Sequence, residues 1–421
     1  MLTTKHILKN GIRVLLTSME GTEAVTVMIL VKAGSRCEDV LTNGLAHFQE
    51  HMFFKGGKKY PSTKAVAVAA DSMGAEYNAF TSSQEVAYYM QCAGSQVEKA
   101  LDILSDMLFE TQFKQEDVEK ERGVVLEEIN RKLDDPGHQV WTDWRGLIFG
   151  NQPLGRPILG PPDNIKKFNS KDFLRYRQWF YATDRIVVSI AGKINDKALK
   201  LVEQYFGAQK SSTGDEWKLF DSRLCTDNVQ IRTKDTAQAH FVLGVLAPED
   251  KSDLAPAARL LAMALGGGMS SRLFLRIREK QGLCYSVGTH YERLYDIGSF
   301  AIYAGVKLEK TLHAVAGIIK ECGKVFRDGI TKAELKKVKA MLEGTFALGL
   351  ENSQSVAMFY GKQELLHDKM DSPREVLDKI QAVTLHDVAH IAYSILNPKR
   401  LCITVVGPYE KKSDFSELLH Y

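Results

Sequence analysis

The stretch GLAHFQEHMFFKGG, residues 44–57, decides how this sequence is interpreted. It places His47, Glu50 and His51 inside an apolar run that is typical of a helix. Residues four apart on an α-helix face the same side, so His47 and His51 share a face and Glu50 lies beside them. Two imidazoles on adjacent turns could hold Zn²⁺, and the carboxylate could accept a proton from zinc-bound water. The alternative is a pair of structural histidines on a buried helix.

A third ligand must come from elsewhere, because catalytic zinc takes three protein ligands and keeps one position open for water. The segment EKERGVVLEEINRKLDDP, from Glu119, is typical of a helix. Glu121 and Glu128 are two helical turns apart and so share one face. One carboxylate could coordinate the metal while the other supports the site. The alternative is a solvated acidic face, which is the role expected of Glu127 because it points about 100° away.

Composition and charge exclude several classes of protein. The chain has 421 residues, 44% of them hydrophobic, which is enough for two or three domains with buried cores. Its 55 basic and 52 acidic residues nearly cancel, which argues against nucleic-acid binding by bulk charge. We find neither a signal peptide nor a transmembrane stretch, and we expect a cytoplasmic protein rather than one of the mitochondrial matrix. The scattered cysteines suit free thiols in a reducing compartment. They are Cys37, Cys92, Cys225, Cys284, Cys322 and Cys402.

Strand and helix patterns together favour an α+β fold. Runs such as VTVMILVKAG, RIVVSIAG, AHFVLGVLA and LCITVVG indicate strands, and residues 97–107 and 335–348 carry the apolar stripe of a helix. The first residues predict a hairpin around an Asn10-Gly11 turn. Strands in runs followed by clustered helices favour mostly antiparallel sheets with helices packed on them.

A weak internal repeat divides the chain near its midpoint. The segment CAGSQVEKAL (92–101) aligns with YAGVKLEKTL (303–312), and each ends a strand-like run and opens an amphipathic helix. The polar segment AQKSSTGDEWK (208–218) between the two halves is typical of a linker. We therefore predict two homologous domains, 1–209 and 220–421, joined by a linker at 210–219.

The His-x-x-Glu-His motif and the pair Glu121 and Glu128 together resemble the pitrilysin family of inverzincins. This family includes insulin-degrading enzyme and the mitochondrial processing peptidase. In that family H-x-x-E-H is followed, about 75 residues on, by E-(x)6-E. Here Glu128 follows His51 by 77 positions. The resemblance implies that His47, His51 and Glu128 bind one Zn²⁺ per chain, with Glu50 as general base and Glu121 as the supporting carboxylate.

Two further segments extend the resemblance. SSRLFLRIREKQGLCYSVG, from Ser270, contains the family's Arg and Tyr seven residues apart, here Arg278 and Tyr285. The resemblance implies that this pair reaches the substrate and stabilises its oxyanion. Without it, Arg278 would be a surface charge and Tyr285 a half-buried strand residue. The segment AEYNAFTSS resembles the edge strand that receives an extended peptide. Its substrate-binding residues would be Tyr77, Asn78, Ala79, Phe80 and Thr81.

The resemblance covers essentially the whole chain and implies a zinc metalloendopeptidase that hydrolyses short or unfolded peptides. The second half has APAARLLAMALGGG where the first half has its zinc motif, so one half carries the metal set and the other carries Arg278 and Tyr285. The chain resembles half of a four-domain member. We therefore expect a homodimer that forms a clamshell chamber, or else a heterodimer with a related subunit. The alternative function is a peptide-binding, regulatory or structural subunit of a processing-peptidase-like complex.

Overall fold

The computed structural model of the chain describes residues 1–222 and 228–420, so Cys225 lies outside the described residues. These form two compact units. The first comprises Met1–Ile129, Pro157–Lys218 and Phe346–Asp371, and the second comprises Asn130–Arg156, Leu219–Thr345 and Ser372–Tyr421. The change of unit after Lys218 falls inside the predicted linker. The segments Asn130–Arg156 and Phe346–Asp371, however, each join the unit built mainly from the other half of the chain, which no sequence pattern indicated.

The first unit contains one six-stranded sheet and the helices that pack on it. Its strands are β1 (Leu2–Ile7), β2 (Arg13–Ser18), β3 (Ala24–Val31), β4 (Glu76–Thr81), β5 (Val86–Ala93) and β6 (Ile186–Gly192). Its helices are α1 (Leu45–Phe53), α2 (Thr63–Asp71), α3 (Val97–Glu110), α4 (Gln115–Asp134, to Ile129 in this unit), α6 (Pro162–Ile165), α7 (Ser170–Phe180), α8 (Ala198–Phe206) and α12 (Ser353–His367).

The sheet order of the first unit is β1-β2-β6-β3-β5-β4, which leaves β4 at one edge. Neighbouring strands are antiparallel except for β2 and β6, which run parallel. The predicted N-terminal hairpin is confirmed, with Ile7 paired to Arg13 across the turn. In β3 the alternate residues Val25, Val27 and Ile29 belong to the main core of this unit.

Helix α12 covers the other face of this sheet. The hydroxyls of Ser353 and Thr26 are 2.8 Å apart, and the hydroxyl of Ser189 donates to the carbonyl of Ala357 at 2.8 Å. A Cβ on Gly361 would lie 2.5 Å from Cδ1 of Leu30, so a larger residue there would require the Leu30 side chain to move. Strand β3 is therefore buried on both faces, which explains its continuous run of apolar residues.

The second unit contains a five-stranded sheet in the order β7-β11-β8-β10-β9. Its strands are β7 (Val229–Thr233), β8 (Gln238–Ala247), β9 (Cys284–Arg293), β10 (Gly298–Lys307) and β11 (Cys402–Gly407). Its helices are α5 (Pro136–Phe149), α9 (Ala255–Gly266), a π-helix (Phe274–Lys280), α10 (Thr311–Asp328), α11 (Lys332–Gly349, to Thr345 in this unit), α13 (Pro373–Ala382), α14 (Leu385–Ile395) and α15 (Ser413–Ser416).

The two units share a plan, which confirms the α+β fold with two similar domains. In each sheet one neighbouring pair is parallel, β2 with β6 and β7 with β11, and the other pairs are antiparallel. In the second unit α5 covers the open sheet face as α12 does in the first, and Trp144 donates to the Ser299 hydroxyl at 3.0 Å. Strand β5 leads through a 3₁₀ turn into α3, as β10 leads into α10. No helix among the described residues is both long enough and apolar enough to span a bilayer.

Candidate metal centre

Helix α1 begins at a tightly built N-terminus. Gly44 caps it at φ +101°, and a Cβ there would lie 2.7 Å from the carbonyl of Leu159, so this position requires glycine. The buried Glu38 carboxylate accepts hydrogen bonds from the backbone N–H of Gly44 at 2.9 Å and of Ala46 at 2.6 Å. A carboxylate at a helix N-terminus stabilises the free N–H groups and complements the helix dipole. These contacts fix the helix that carries His47, and nothing in the sequence pattern identified Glu38 for this role.

Three side chains predicted from the sequence converge in the first unit. His47 and His51 on α1 and Glu128 on α4 bring ligand atoms within 4.8 Å of one another. Each histidine Nε2 lies 3.6 Å from Oε2 of Glu128. Donor atoms at about 2.1 Å from a tetrahedral zinc ion are about 3.4 Å apart, so the two distances from the histidines to Glu128 fit Zn²⁺. Two imidazoles and one carboxylate are also a donor set typical of a zinc site that keeps a position for water.

Glu121 supports one of the two imidazoles. Its Oε1 lies 2.9 Å from Nδ1 of His51, which leaves Nε2 of that ring directed at Glu128. Its Oε2 pairs with the Lys55 ammonium. Burial acts to raise the pKa of Glu121, but the hydrogen bonds from His51 and Lys55 outweigh it and lower that pKa. The charged carboxylate is therefore stabilised, and it fixes both the tautomer and the orientation of His51.

Negative charge is concentrated around His51. Burial acts to lower the pKa of His51, but its hydrogen bond to Glu121 and the charges of Glu121, Glu50 and Glu128 raise it overall. Three carboxylates lie around two imidazoles next to the Lys55 ammonium, and this concentration of negative charge favours an added cation. This electrostatic argument agrees with the donor spacing, although it depends on charge rather than on distance.

Glu50 lies beside this cluster without belonging to the donor set. It is 9% exposed, and burial raises the pKa of its carboxyl, with the Thr81 hydrogen bond and the His51 charge acting in the opposite direction. The Thr81 hydroxyl donates to Oε2 of Glu50. One carboxylate oxygen is thus held by the last residue of β4. The sequence predicts a peptide-binding role for Thr81, but its spacing does not indicate this contact with Glu50.

The predicted edge strand is an edge in the structure. Among the described residues β4 pairs only with β5, so its outer backbone groups face no other strand. The ring centroids of Tyr77 and Phe54 are 6.1 Å apart, which connects β4 to the residue that follows α1. The backbone N–H of Ala79 bonds to its neighbour Asn78, and Phe80 is half-buried. The strand therefore presents an open edge next to Glu50.

Arg278 and Tyr285 lie in the second unit, whereas the candidate metal donors lie in the first. The structure does bring the pair together, with the Arg278 guanidinium carbon 5.5 Å from the centroid of the Tyr285 ring. In the register of β9 with β10, Gly305 pairs with Ser286 and Val306 with Cys284, so Tyr285 is the extra residue of a β-bulge. A bulge redirects its side chain. Tyr285 is accordingly 77% exposed, more than a half-buried strand residue would be.

One of the two α+β units has a His-x-x-Glu-His helix facing a glutamate-bearing helix, and this motif is typical of the inverted zincin class. Comparison with known families agrees. Residues 13–162 match the model of insulinase, peptidase family M16, and residues 167–342 match that of the peptidase M16 inactive domain. The chain belongs to peptidase family M16.

Relatives agree with this family, and solved structures agree with the fold. The chain is 35% identical to an uncharacterized zinc protease of Bacillus subtilis, over 92% of this chain and 94% of that one. It is 33% identical to an uncharacterized zinc protease of Mycobacterium leprae, over 96% of this chain and 92% of that one. The fold is similar to that of a protease from Helicobacter pylori, with a TM-score of 0.88 and 23% identity. The match covers 97% of this chain and 99% of that one. A peptidase M16 inactive domain from Pseudomonas fluorescens has a TM-score of 0.90, 17% identity and coverage of 98% and 100%.

Proposed function

We propose that this chain is a zinc metalloendopeptidase that hydrolyses short or unfolded peptides. The observation that carries the proposal is the cluster of His47, His51 and Glu128, whose ligand atoms lie within 4.8 Å of one another, next to a carboxylate that is not a ligand. A purely structural cluster would not need Glu50 beside it in a buried position. The names of the bacterial relatives, which are zinc proteases, support the same reaction.

The residues present can carry the proton transfers of peptide hydrolysis. When bound, zinc would lower the pKa of a water molecule towards about 7 and polarise the scissile carbonyl. Glu50 accepts the proton of the attacking water and then transfers it to the leaving amine. Burial raises the pKa of Glu50, which makes it a stronger base than an exposed carboxylate. Thr81 holds one of its oxygens and so orients the other for the proton transfer.

The edge strand β4 supplies the peptide-binding surface of the proposal. An extended substrate adds to such an edge by main-chain hydrogen bonds, which accounts for action on unfolded chains with many sequences. Residues Tyr77 to Thr81 line this edge, and Thr81 connects it directly to Glu50. A peptide paired with β4 would therefore pass close to the base.

The oxyanion donors of the proposal are Arg278 and Tyr285. A guanidinium and a phenol can both donate to an oxygen that gains charge. Each chain carries both this pair and the metal donors, so it needs no different partner. We infer an isologous homodimer in which the second half of each chain covers the first half of the other and closes a chamber. A closed chamber admits short or unfolded peptides and excludes folded proteins.

One experiment separates this function from that of a non-catalytic subunit. The zinc content of the purified chain would be measured by elemental analysis, alongside cleavage of a quenched fluorescent peptide. We expect one zinc per chain and cleavage that a chelator abolishes and added zinc restores. Glu50→Gln is the control, because it removes the base and keeps every ligand. Stoichiometric zinc without cleavage of any peptide in a mixed library would support the non-catalytic subunit, and absence of zinc would reject the proposed site.

A further inference from the structure

The Arg278 side chain lies close to two aromatic rings of the second unit. Its guanidinium carbon is 4.7 Å from the centroid of Phe274 and 5.5 Å from that of Tyr285. Both distances fall within the reach of about 6 Å over which a cation is attracted to a ring face. The carboxylate of Glu279 is 4.0 Å from Nε of Arg278, at the outer limit of an ion pair. Ring faces, rather than an acidic partner, therefore define where this guanidinium lies.

The local backbone is unusual on both sides of Arg278. Phe274 and Arg278 belong to the π-helix, in which each backbone hydrogen bond spans one residue more than in an α-helix. The N–H of Gly282, at φ +58°, closes this segment on the carbonyl of Arg278 at 3.0 Å. Tyr285 then occupies the β-bulge of β9. Both irregularities are frequent at functional sites, and here they place the two rings against one guanidinium.

The rings leave the hydrogen-bonding edge of the guanidinium available. Phe274 is half-buried and Ile277, on the same π-helix, is fully buried, so the helix is anchored to the core while Phe274 supports Arg278. Among the described residues, no hydrogen bond from the Arg278 guanidinium is formed. Contacts with ring faces leave the N–H groups in the guanidinium plane free to donate, whereas a carboxylate partner would occupy them.

We propose that Phe274 is a positioning residue, which holds the Arg278 guanidinium against Tyr285 so that both donate to the developing oxyanion. This role rests on the proposed peptidase function. It does not require Phe274 to touch the substrate. A guanidinium freed from its ring support would sample other rotamers, and each departure from the productive geometry costs rate rather than affinity.

A double-mutant cycle tests this role. We expect Phe274→Leu to lower kcat by about fivefold with little change in KM, because a cation–ring contact of this kind is modest. Phe274→Tyr retains a ring and should restore most of the rate. In an Arg278→Gln background Phe274→Leu should have no further effect. Leu275→Ala, at a neighbouring residue that is 49% exposed, is the matched control and should leave kcat unchanged.

A second measurement does not depend on turnover. Phenylglyoxal modifies arginine side chains, and mass spectrometry reports the rate at each residue. We expect Phe274→Leu to increase the modification rate of Arg278 about threefold, because the guanidinium loses its ring support. The exposed Arg276 on the same helix is the internal control and should not change.

The outcomes separate this role from the proposed function. If the wild-type chain cleaves peptide and Phe274→Leu changes neither the kcat nor the modification rate of Arg278, the positioning role is wrong. An equal loss of kcat in the Arg278→Gln background would also overturn it, since the effect would then be structural. If the zinc-loaded wild-type chain cleaves no peptide, the proposed function fails, and the positioning role fails with it.

Discussion

The contact between Glu121 and His51 predicts that a change at Glu121 will weaken zinc binding without abolishing it. Glu121→Gln keeps the shape of the side chain and removes its charge. The variant loses the charge-assisted hydrogen bond to His51 at 2.9 Å and the ion pair with Lys55. A hydrogen bond to a charged group is worth about 1.5–3 kcal/mol. Removing such a partner from a metal-binding histidine costs about 10- to 100-fold in metal affinity, which is about 1.4–2.7 kcal/mol.

The same helix supplies both controls for this measurement. Glu127 is exposed and Glu128 is the expected ligand. The predicted order of zinc affinity, from tightest to weakest, is therefore Glu127→Gln, Glu121→Gln and Glu128→Gln. Glu127→Gln should match the wild-type chain in zinc affinity, because Glu127 is exposed and is not one of the candidate ligands. Glu128→Gln should bind zinc most weakly, because it weakens a ligand itself.

The assay is competition for zinc between each apoprotein and a chromophoric chelator of known affinity, at pH 7. Thermal unfolding of the apoproteins shows whether a variant has lost its fold instead of its site. If Glu121→Gln bound zinc as tightly as Glu127→Gln, the contact between Glu121 and His51 would not support the metal centre, and the reasoning from geometry would be refuted.

Three further predictions concern the base, the second unit and the assembly. Glu50→Gln should retain one zinc per chain and lose turnover by about 10²-fold or more, and normal peptide cleavage by this variant would contradict the assigned base. A hydrogen bond from Arg272 is the main cause that lowers the pKa of Glu334 to about 2. Glu334→Gln should therefore destabilise the protein by about 2 kcal/mol at pH 7, after allowance for partial exposure. The stabilisation by Glu334 is complete above pH 4.5 and disappears as the pH falls towards about 2, so the difference in urea unfolding should shrink at pH 3. Mixing Glu50→Gln chains with Tyr285→Phe chains should partly restore cleavage, because one site of each mixed dimer has neither defect. No recovery after proven subunit exchange would count against completion in trans.

Helix periodicity was the most informative sequence feature at the candidate metal centre. The spacing of His47, Glu50 and His51 predicted one face of one helix, and α1 has that face. The spacing of Glu121 and Glu128 predicted that they share a side of α4, and both point to the same cluster. Periodicity alone left open which carboxylate binds and which supports. The structure distinguishes them, since Glu128 approaches both histidines whereas Glu121 contacts His51 and Lys55.

Local patterns could not indicate contacts that depend on packing between distant segments. Glu38 caps α1 and Thr81 holds Glu50, but neither residue lies at a spacing that identifies its role. The bulge at Tyr285 depends on how β9 aligns with β10, and the hydrogen-bond ladder, not the amino-acid order of one strand, sets this register.

The sequence by itself determined the α+β class, the His-x-x-Glu-His motif and the division of motifs between the two halves, because these depend on residue type and on short-range periodicity. Only the tertiary structure decided which segments complete each unit. Helix α12 joins the first unit and α5 the second, through contacts such as Thr26 with Ser353 and Trp144 with Ser299 that connect segments far apart in the sequence. The tertiary structure also decided that the Phe274 ring lies under the Arg278 guanidinium. The reason is that a cation is attracted to the face of an aromatic ring.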